Sequence, residues 1–448
     1  MARNKLFVGR KLLKGVGQLG IASIITRLLG MVNRMYLSRL IGAEGLGLYQ
    51  MILPLYFLLT VGATLGLPGA VTKMVADRHA LNDQTGQLQV QRLALSFTFP
   101  TALIISLLLW ILLCFPLKFV PDPRIIPGLR LMPVAYTVVA FSSILRAYFQ
   151  GRGEMFPVAT SQLGEQLVRI GVGLAAACLL LPLGLEYATL GLVIGIAAGE
   201  FSGLGLLALF SHRHRRSPLQ VPPTPKRRLL KGELFGLALP LLAYRLSAGL
   251  TGTLESWIIP SRLQVAGFSP SQATALFGQF SGMAVPLLYL PTVLIVPMNM
   301  VLVPAVAQSA TLRSPRHLHR LITIALIATA ATGGLTWLVL TPFAPLLVKT
   351  IYGNPGAIPL VIMLAPLAPL AYLQFTTTSI LHGLGRPEVA VINDITGTAF
   401  SLALIYYLTA DPAYGLSGVI WAYGAAFALI TLLNTMAIYY NAEREGPA

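Results

Sequence analysis

Charged residues are scarce in this sequence. Asp, Glu, Lys and Arg make up 10% of its 448 residues, whereas hydrophobic residues make up 55% and the mean hydropathy is +0.74. A soluble domain carries about 25% charged residues, so this chain has too few to cover a water-facing surface. The composition excludes a soluble globular protein and predicts a membrane protein.

Other features are also missing, and each absence excludes a class of function. No segments of about ten residues alternate in hydrophobicity, which excludes a transmembrane β-barrel. No P-loop, HExxH, CxxC, GxSxG or DxD-type motif is present, so the sequence indicates no enzyme and no cofactor. The two cysteines, Cys114 and Cys178, lie in apolar runs without a partner at metal-ligand spacing. We predict that both are small core residues and that there is no metal site.

The sequence instead contains apolar runs of about 20 residues, which is the length of a helix that crosses the hydrocarbon of a membrane. They predict an all-α polytopic fold with about twelve transmembrane helices. The predicted spans are 15–37, 48–69, 93–115, 129–149, 157–181, 187–210, 234–258, 273–303, 318–340, 357–381, 389–409 and 415–439. A basic linker at 211–232 divides them into two six-helix lobes, 1–210 and 233–448.

The net charge of +17 comes largely from basic clusters between the apolar runs. The clusters are MARNKLFVGRKLLK, HRHRRSPLQVPPTPKRRLLK and RSPRHLHR. They fall in alternate loops, which is the positive-inside pattern of membrane proteins and not a nucleic-acid surface. We therefore expect the cytoplasmic membrane, both termini in the cytoplasm, and basic loops close to anionic membrane lipids.

The two halves contain a weak internal repeat. YFQGRGEMFPVA at 148–159 resembles ILHGLGRPEVAV at 380–391, so that Gly151 aligns with Gly383. Because each half has an even number of helices, the halves are expected to run parallel, related by a pseudo-two-fold axis along the membrane normal. Transporters built in this way bind their substrates between the repeats.

Nine charged residues lie inside the predicted spans, at least three residues from either end. They are Arg27, Arg34, Arg146, Glu165, Arg169, Glu200, Arg245, Glu255 and Asp394. Each costs about 2.5–3.5 kcal/mol at a helix centre, so we expect these side chains to face the bundle interior or a water-filled cavity. Arg27 and Arg34 are seven residues apart and share one side of the first helix.

The arginines predict an anionic substrate. The guanidinium group carries a planar fork of donors that suits phosphate, and it stays charged at any working pH. Arg27, Arg34, Arg146 and Arg245 are therefore candidates for binding a phosphate or pyrophosphate group in a cavity between the lobes. Glu165 and Arg169 are spaced i, i+4, and both a structural ion pair and a role in the cavity remain open for them.

Four segments resemble signatures of the stage V sporulation protein B family, in the polysaccharide-transporter (PST) branch of the MOP (MATE-like) flippase superfamily. They are, in order, TRLLGMVNRMYLSRLIGAEGLGLYQM, GLPGAVTKMVAD, SSILRAYFQGRGEMFPVATSQLGEQLVRI and LPLGLEYATLGLVIGIAAGE. The seventh-helix pattern from Arg245 to Glu255 also matches. The resemblance covers most of the chain. It implies a MATE-like fold of two lobes around a central cavity and a role in making spore-cortex peptidoglycan.

The resemblance also implies a substrate. Related flippases move lipid II, an undecaprenyl-pyrophosphate-linked saccharide, from the inner to the outer leaflet, and alternating access is the implied mechanism. Arg27 matches the first cavity arginine of these flippases, whereas their next arginine falls at Asn33, one position before Arg34. Family members usually have 14 helices, and the last pair, which adds a groove for the lipid tail, is not predicted here. The implied partners are the lipid-linked oligosaccharide, membrane lipids and cell-wall synthases.

Acidic residues in the second half suggest ion coupling. Glu255 and Asp394, with Asn393 and Thr398 close to Asp394, lie in the half where related lipid II flippases bind a cation, so Na⁺ or H⁺ is the candidate coupling ion. Alternatively, Glu255 neutralises an arginine and Asp394 lies at a hydrated helix end. Two other functions also remain open: a cation-coupled MATE-type exporter of small amphiphiles, and a non-transporting membrane scaffold for cortex synthesis.

Overall fold

The computed structural model of the chain describes residues 20, 22, 24–115, 120–214, 227–312 and 314–444. Within these residues it contains helices and no strand. Eleven of the described helices are long and apolar enough to cross a membrane, and a further helix at 24–40 precedes them. The predicted all-α polytopic fold is confirmed. Most of the predicted linker 211–232 lies outside the described residues.

We number the α-helices of the described residues in chain order. They are α1 (24–40), α2 (Gly42–Thr64), α3 (Leu67–Ala80), α4 (Gln84–Leu112), α5 (Ile126–Gly151), α6 (Met155–Leu180), α7 (Leu185–His214), α8 (Arg227–Val265), α9 (Pro270–Phe277), α10 (Val285–Tyr289), α11 (Thr292–Thr311), α12 (Pro315–Tyr352), α13 (Ile358–Leu364), α14 (Ala368–Gly383), α15 (Pro387–Leu408) and α16 (Leu416–Arg444).

Side-chain caps determine where several of these helices begin. At the start of α4 the Asp83 carboxylate accepts a 2.8 Å hydrogen bond from the backbone N–H of Gly86. This bond holds the pKa of Asp83 below its usual range. At the start of α9, Ser269 and Gln272 form a capping box, in which each side chain bonds the backbone of the other residue. These bonds satisfy backbone N–H groups that have no partner within the helix.

Two predicted spans are wrong because the chain breaks inside them. The predicted helix 48–69 is interrupted by Leu65 and Gly66, which both adopt left-handed backbone angles (φ 52° and 68°). The predicted helix 273–303 consists of α9, a π-helical segment at Gly278–Ala284, α10 and most of α11. Hydropathy averages over such breaks, because the residues on both sides of each break are apolar.

The contacts within the chain divide it into two units. The first contains the described residues of Met1–Ile41 and Met51–Thr253, and the second contains Gly42–Gln50 and the described residues of Leu254–Ala448. The boundaries fall inside α2 and α8, so each of these helices contributes to both units. The lobes predicted from the linker at 211–232 stay a prediction.

Each unit has its own hydrophobic core. In the first unit, α3, α5 and α8 contribute the buried side chains of Met74, Phe149 and Leu234. In the second unit, α11 contributes Val306 and α14 contributes Ile380, both fully buried. Most of the site residues described below are on helices that contribute to these cores, namely α5, α6, α7, α8, α14, α15 and α16.

The outer surface of the helices is apolar, as expected for contact with lipid. Leu179 and Leu338, for example, are 78% and 71% exposed. Cys114 and Cys178 are also exposed, so the prediction that both are core residues is wrong. In a membrane helix the residues that face lipid are as apolar as those that face protein, and hydropathy alone does not separate them.

The internal repeat predicted from the sequence is present as the same contact in each unit. A Cβ added at Gly151, where α5 ends, would lie 2.7 Å from the backbone oxygen of Thr72 on α3. A Cβ added at Gly383, where α14 ends, would lie 2.8 Å from the backbone oxygen of Val303 on α11. Two residues later both copies have a left-handed glycine, with φ 71° in one and 72° in the other. Glycine is therefore required at Gly151 and Gly153 in the first unit and at Gly383 and Gly385 in the second.

Candidate functional site

The first unit contains a buried cluster of charged side chains from four helices, which we call the charge cluster. Arg146 on α5 and Arg169 on α6 both donate to the carboxylate of Glu165, also on α6. Arg169 also donates a 2.7 Å hydrogen bond to Glu200 on α7. The Tyr56 hydroxyl on α2 donates to the same oxygen of Glu200 at 3.2 Å. The cluster therefore links α2, α5, α6 and α7.

The charges of the cluster balance one another. Glu165 and Glu200 are only 9% and 4% exposed. Removing a carboxylate from water is unfavourable unless it is paired and hydrogen-bonded, and both carboxylates accept from arginines here. The i, i+4 ion pair of Glu165 and Arg169 that the sequence allowed is present. Arg146, a candidate for substrate binding, already has Glu165 as its partner.

A stripe of glycines on α7 brings Glu200 against α6. The stripe consists of Gly191, Gly195, Gly199 and Gly203. Their spacing of four residues places them along one side of the helix, as in GxxxG motifs. A Cβ added at Gly195 would lie 2.4 Å from the Cα of Gly173, and one at Gly199 would lie 2.8 Å from the backbone oxygen of Glu165. No partner of Glu200 was predicted from the sequence, and this glycine spacing is the signal that could have identified one.

Three of the arginines predicted to bind the substrate lie outside the charge cluster. Arg27 and Arg34 lie two turns apart on α1, and Arg245 lies on α8, all within the first unit. Arg27 and Arg245 are exposed, and Arg34 is half-buried. None of the three forms an ion pair with an acidic side chain of the described residues. With respect to the described part of the chain, their guanidinium donors are therefore available to an anionic ligand.

The second unit contains a cavity of about 280 Å³, which we call the acidic cavity. Its wall includes Glu255 from α8, Tyr289, Gln374, Thr398 and Tyr423. The Tyr423 hydroxyl on α16 donates a 2.9 Å hydrogen bond to the carboxylate of Glu255. None of the described residues that line it is basic. Both tyrosines and Gln374 were not predicted from the sequence, because single polar residues in apolar helices show no diagnostic spacing.

Asp394 lies next to a wall residue of the acidic cavity. Its carboxylate accepts a 3.3 Å hydrogen bond from the side-chain amide of Gln374. Asn393 makes a different contact, since its side-chain amide donates a 2.9 Å hydrogen bond to Asn434 on α16. Asn434 is fully buried and donates in turn to Thr378 on α14 at 3.1 Å. Thus Asp394 and Glu255 are both connected to this cavity, whereas Asn393 takes part in an amide network between helices.

The oxygen atoms of the acidic cavity are of the kind that bind a cation of low charge. Hard cations prefer carboxylate, carbonyl and hydroxyl oxygens. Among the described residues, no group of three or more His, Cys, Asp and Glu side chains is placed to hold a metal ion. A cation in this cavity would rely on the Glu255 carboxylate and neutral oxygens, which suits a monovalent ion or a proton.

Known proteins resemble this chain over most of its length. The family described as polysaccharide biosynthesis protein matches residues 12–310. The chain is 31% identical over 433 residues to Stage V sporulation protein B of Bacillus subtilis (strain 168), which covers 95% of the chain and 83% of that protein. It is 26% identical over 434 residues to Lipid II flippase MurJ of the same organism, which covers 88% of the chain and 76% of that protein.

A solved structure has the same fold. The inward-facing conformation of a multidrug resistance MATE family transporter of the MOP superfamily matches with a TM-score of 0.74 and 16% identity. The match covers 97% of this chain and 100% of the other. At this identity the likeness concerns the fold alone, and it confirms the MATE-like fold predicted from the sequence.

Proposed function

Because the chain belongs to the polysaccharide biosynthesis protein family and has the fold of MOP-superfamily transporters, we propose that it is a flippase for a lipid-linked saccharide. The proposed substrate is lipid II or a related undecaprenyl-pyrophosphate-linked saccharide, used for the peptidoglycan of the spore cortex. Two relatives support this choice by their names, one a sporulation protein and the other a lipid II flippase.

The observation that carries the proposal is the contrast between two sets of arginines in the first unit. Arg146 and Arg169 are neutralised by the acids of the charge cluster. Arg27, Arg34 and Arg245 have no acidic partner among the described residues. An unpaired arginine within a membrane helix is costly, and a pyrophosphate group would supply the missing negative charge. We assign these three arginines to the substrate headgroup and Arg146 to the charge cluster.

In the proposed mechanism the protein shields the polar headgroup while the lipid tail stays in the membrane. The planar guanidinium groups bind the pyrophosphate oxygens in pairs of hydrogen bonds. The two lobes then alternate between inward-open and outward-open states, which carries the headgroup across without exposing it to hydrocarbon. A cation, Na⁺ or H⁺, enters the acidic cavity at Glu255, and Asp394 contributes through Gln374. The gradient of this cation drives the return of the protein to its starting conformation.

The proposal is tested by reconstituting the purified chain into proteoliposomes that contain lipid II. Movement between leaflets is measured as the fraction of headgroups that a membrane-impermeant reagent can modify. The wild type should equilibrate the leaflets, and Arg27→Gln with Arg245→Gln should abolish this movement. Arg262→Gln is the control, because its guanidinium stacks on the Tyr406 ring at 4.0 Å and is not assigned to the substrate. Absence of lipid II movement in the wild type would contradict the proposal.

A cation-coupled exporter of small amphiphiles is a second candidate. The specific observation in its favour is the acidic cavity, whose described wall residues include Glu255 and none that is basic. This function predicts efflux of cationic dyes from the same proteoliposomes and loss of efflux in Glu255→Gln. A scaffold for cell-wall synthases would instead leave both substrates unmoved and depend on the segment 211–232. If the protein is a flippase, replacing that segment should leave lipid II movement unchanged.

A further inference from the structure

A second cavity, of about 140 Å³, lies at one end of the second unit. The end of α11, the start of α12 and the last part of α16 form its wall. Leu318, Ile322 and Leu326 from α12 and Ile438 from α16 make most of this wall apolar. Because α12 begins at Pro315, Leu326 lies about 16 Å further along the helix axis. The cavity therefore extends from the end of the helix bundle towards its apolar middle.

The end of the cavity at the start of α12 is basic. His319 lines the cavity there, and Arg316, three residues earlier, shares its side of the helix. Both side chains are exposed. The sequence contains no Asp or Glu between Glu255 and Glu388. Within the described part of the chain, Arg316 forms no ion pair. No acidic side chain that the structure describes on the neighbouring helices pairs with this positive charge.

We propose that this cavity, which we call the lipid cavity, binds an anionic phospholipid of the surrounding membrane. The phosphate lies beside Arg316 and His319, and part of one acyl chain lies along Leu318, Ile322 and Leu326. Basic pockets between membrane helices recognise anionic headgroups in this way. The cavity combines a positive mouth with an apolar interior, which complements the two parts of such a lipid.

Other occupants fit these observations less well. A protein partner needs an interface of about 800 Å² on each side, whereas this cavity is narrow and lies between helices. A soluble anion would use the basic mouth but would leave the apolar wall without a ligand. The proposal concerns a lipid that stays bound at the protein surface, and it holds whichever substrate the protein carries.

The headgroup contact is tested with the purified full-length chain in detergent micelles. Native mass spectrometry measures binding of phosphatidylglycerol, which is anionic, and of phosphatidylcholine, which has no net charge. The wild type should prefer phosphatidylglycerol. One basic residue near a membrane surface contributes about 1 kcal/mol, so Arg316→Gln should lower phosphatidylglycerol affinity about fivefold. Lys349→Gln removes a charge from the other end of the same helix and should leave that affinity unchanged.

The acyl contact is tested in the same assay with a matched pair of substitutions. Thr323 is exposed and lines the lipid cavity, so Thr323→Phe should fill it and lower the binding of both lipids. Ile324, the next residue, is 54% exposed and lies outside the lining, and Ile324→Phe should have no effect. Equal binding of the two lipids by the wild type would overturn the proposal. So would equal losses in Arg316→Gln and Lys349→Gln, or wild-type binding in Thr323→Phe.

Discussion

Arg169 on α6 donates a 2.7 Å hydrogen bond to Glu200 on α7, although 31 residues separate them in the sequence. The contact is possible because glycines let the backbones of the two helices touch. Glu165, one turn before Arg169, receives Arg146 from α5 on its other oxygen. Close backbone packing and charge pairing thus support each other in the first unit.

The glycine stripe should tolerate no side chain. Gly195→Ala should destabilise the protein by about 1–3 kcal/mol, because its Cβ would lie 2.4 Å from the Cα of Gly173. Gly205→Ala is the matched control on the same helix, since a Cβ there meets nothing within 4 Å. The control should be neutral or slightly stabilising, because alanine favours helix. Thermal unfolding of the purified variants measures both effects, and equal midpoints would show that α6 and α7 can separate without cost.

Removing one acid from the charge cluster should lower the free energy of unfolding more than removing a half-buried acid outside the cluster. Glu165→Gln leaves Arg146 and Arg169 without their shared carboxylate, and breaking a buried pair costs about 3–5 kcal/mol. Glu154→Gln breaks the ion pair with Arg152 outside the cluster, where 27% of the Glu154 side chain is exposed. That change should lower the free energy of unfolding by at most about 1 kcal/mol. Unfolding midpoints in detergent compare the two variants, and similar losses would count against a structural role for the cluster.

Substrate binding by the arginines of α1 should require the paired N–H donors of the guanidinium group as well as its charge. Arg27→Lys keeps the charge but loses paired hydrogen bonding to phosphate, so lipid II movement should fall about tenfold, equivalent to ~1.4 kcal/mol. Arg39→Lys, near the other end of α1, should retain activity. The leaflet-accessibility assay measures both. Full activity in Arg27→Lys would remove the pyrophosphate contact from that residue.

The ion dependence of lipid II transport should change when Asp394 is replaced, but not when an acid away from the acidic cavity is replaced. Asp394→Asn should lower lipid II transport and flatten its dependence on Na⁺ or membrane potential, without lowering the amount of folded protein. Glu388→Gln, in the first turn of the same helix, is the control and should keep the wild-type dependence. An unchanged ion dependence in Asp394→Asn would exclude Asp394 from coupling and leave Glu255 to be tested by the same measurement.

The cap of α4 should contribute stability that depends on pH. Asp83→Ala should destabilise the protein by about 1 kcal/mol at pH 7, because Gly86 loses its acceptor. The pKa of Asp83 is lowered in the folded state, so this contribution is present above the unfolded value of about 3.9 and is lost as the pH falls through the folded pKa. Asp83→Asn keeps an acceptor oxygen and should be less damaging. Unfolding midpoints at several pH values test this, and a constant difference between wild type and Asp83→Ala would contradict it.

Much of the fold could be predicted from the sequence, because each membrane helix needs its own apolar run. The breaks at Leu65–Gly66 and at the π-helical segment could not, since their residues are as apolar as their neighbours. The charged residues of the site were identifiable because charge is rare here. Of their contacts, only the i, i+4 pair of Glu165 and Arg169 could be predicted from the sequence. Glu200 needed the glycine spacing on α7, and Glu255 needed Tyr423, which lies on a helix 168 residues away.

The division of α2 between the two units has a consequence for synthesis of the protein. Gly42–Gln50 belongs to the second unit, where the Gln50 side-chain amide donates a 3.2 Å hydrogen bond to the backbone oxygen of Ser281. These partners are 231 residues apart. At ribosomal speeds of about 5–20 residues per second, the start of α2 waits roughly 10 to 50 s for its partner to emerge. During that interval the Gln50 amide lacks this partner and needs another hydrogen-bond acceptor.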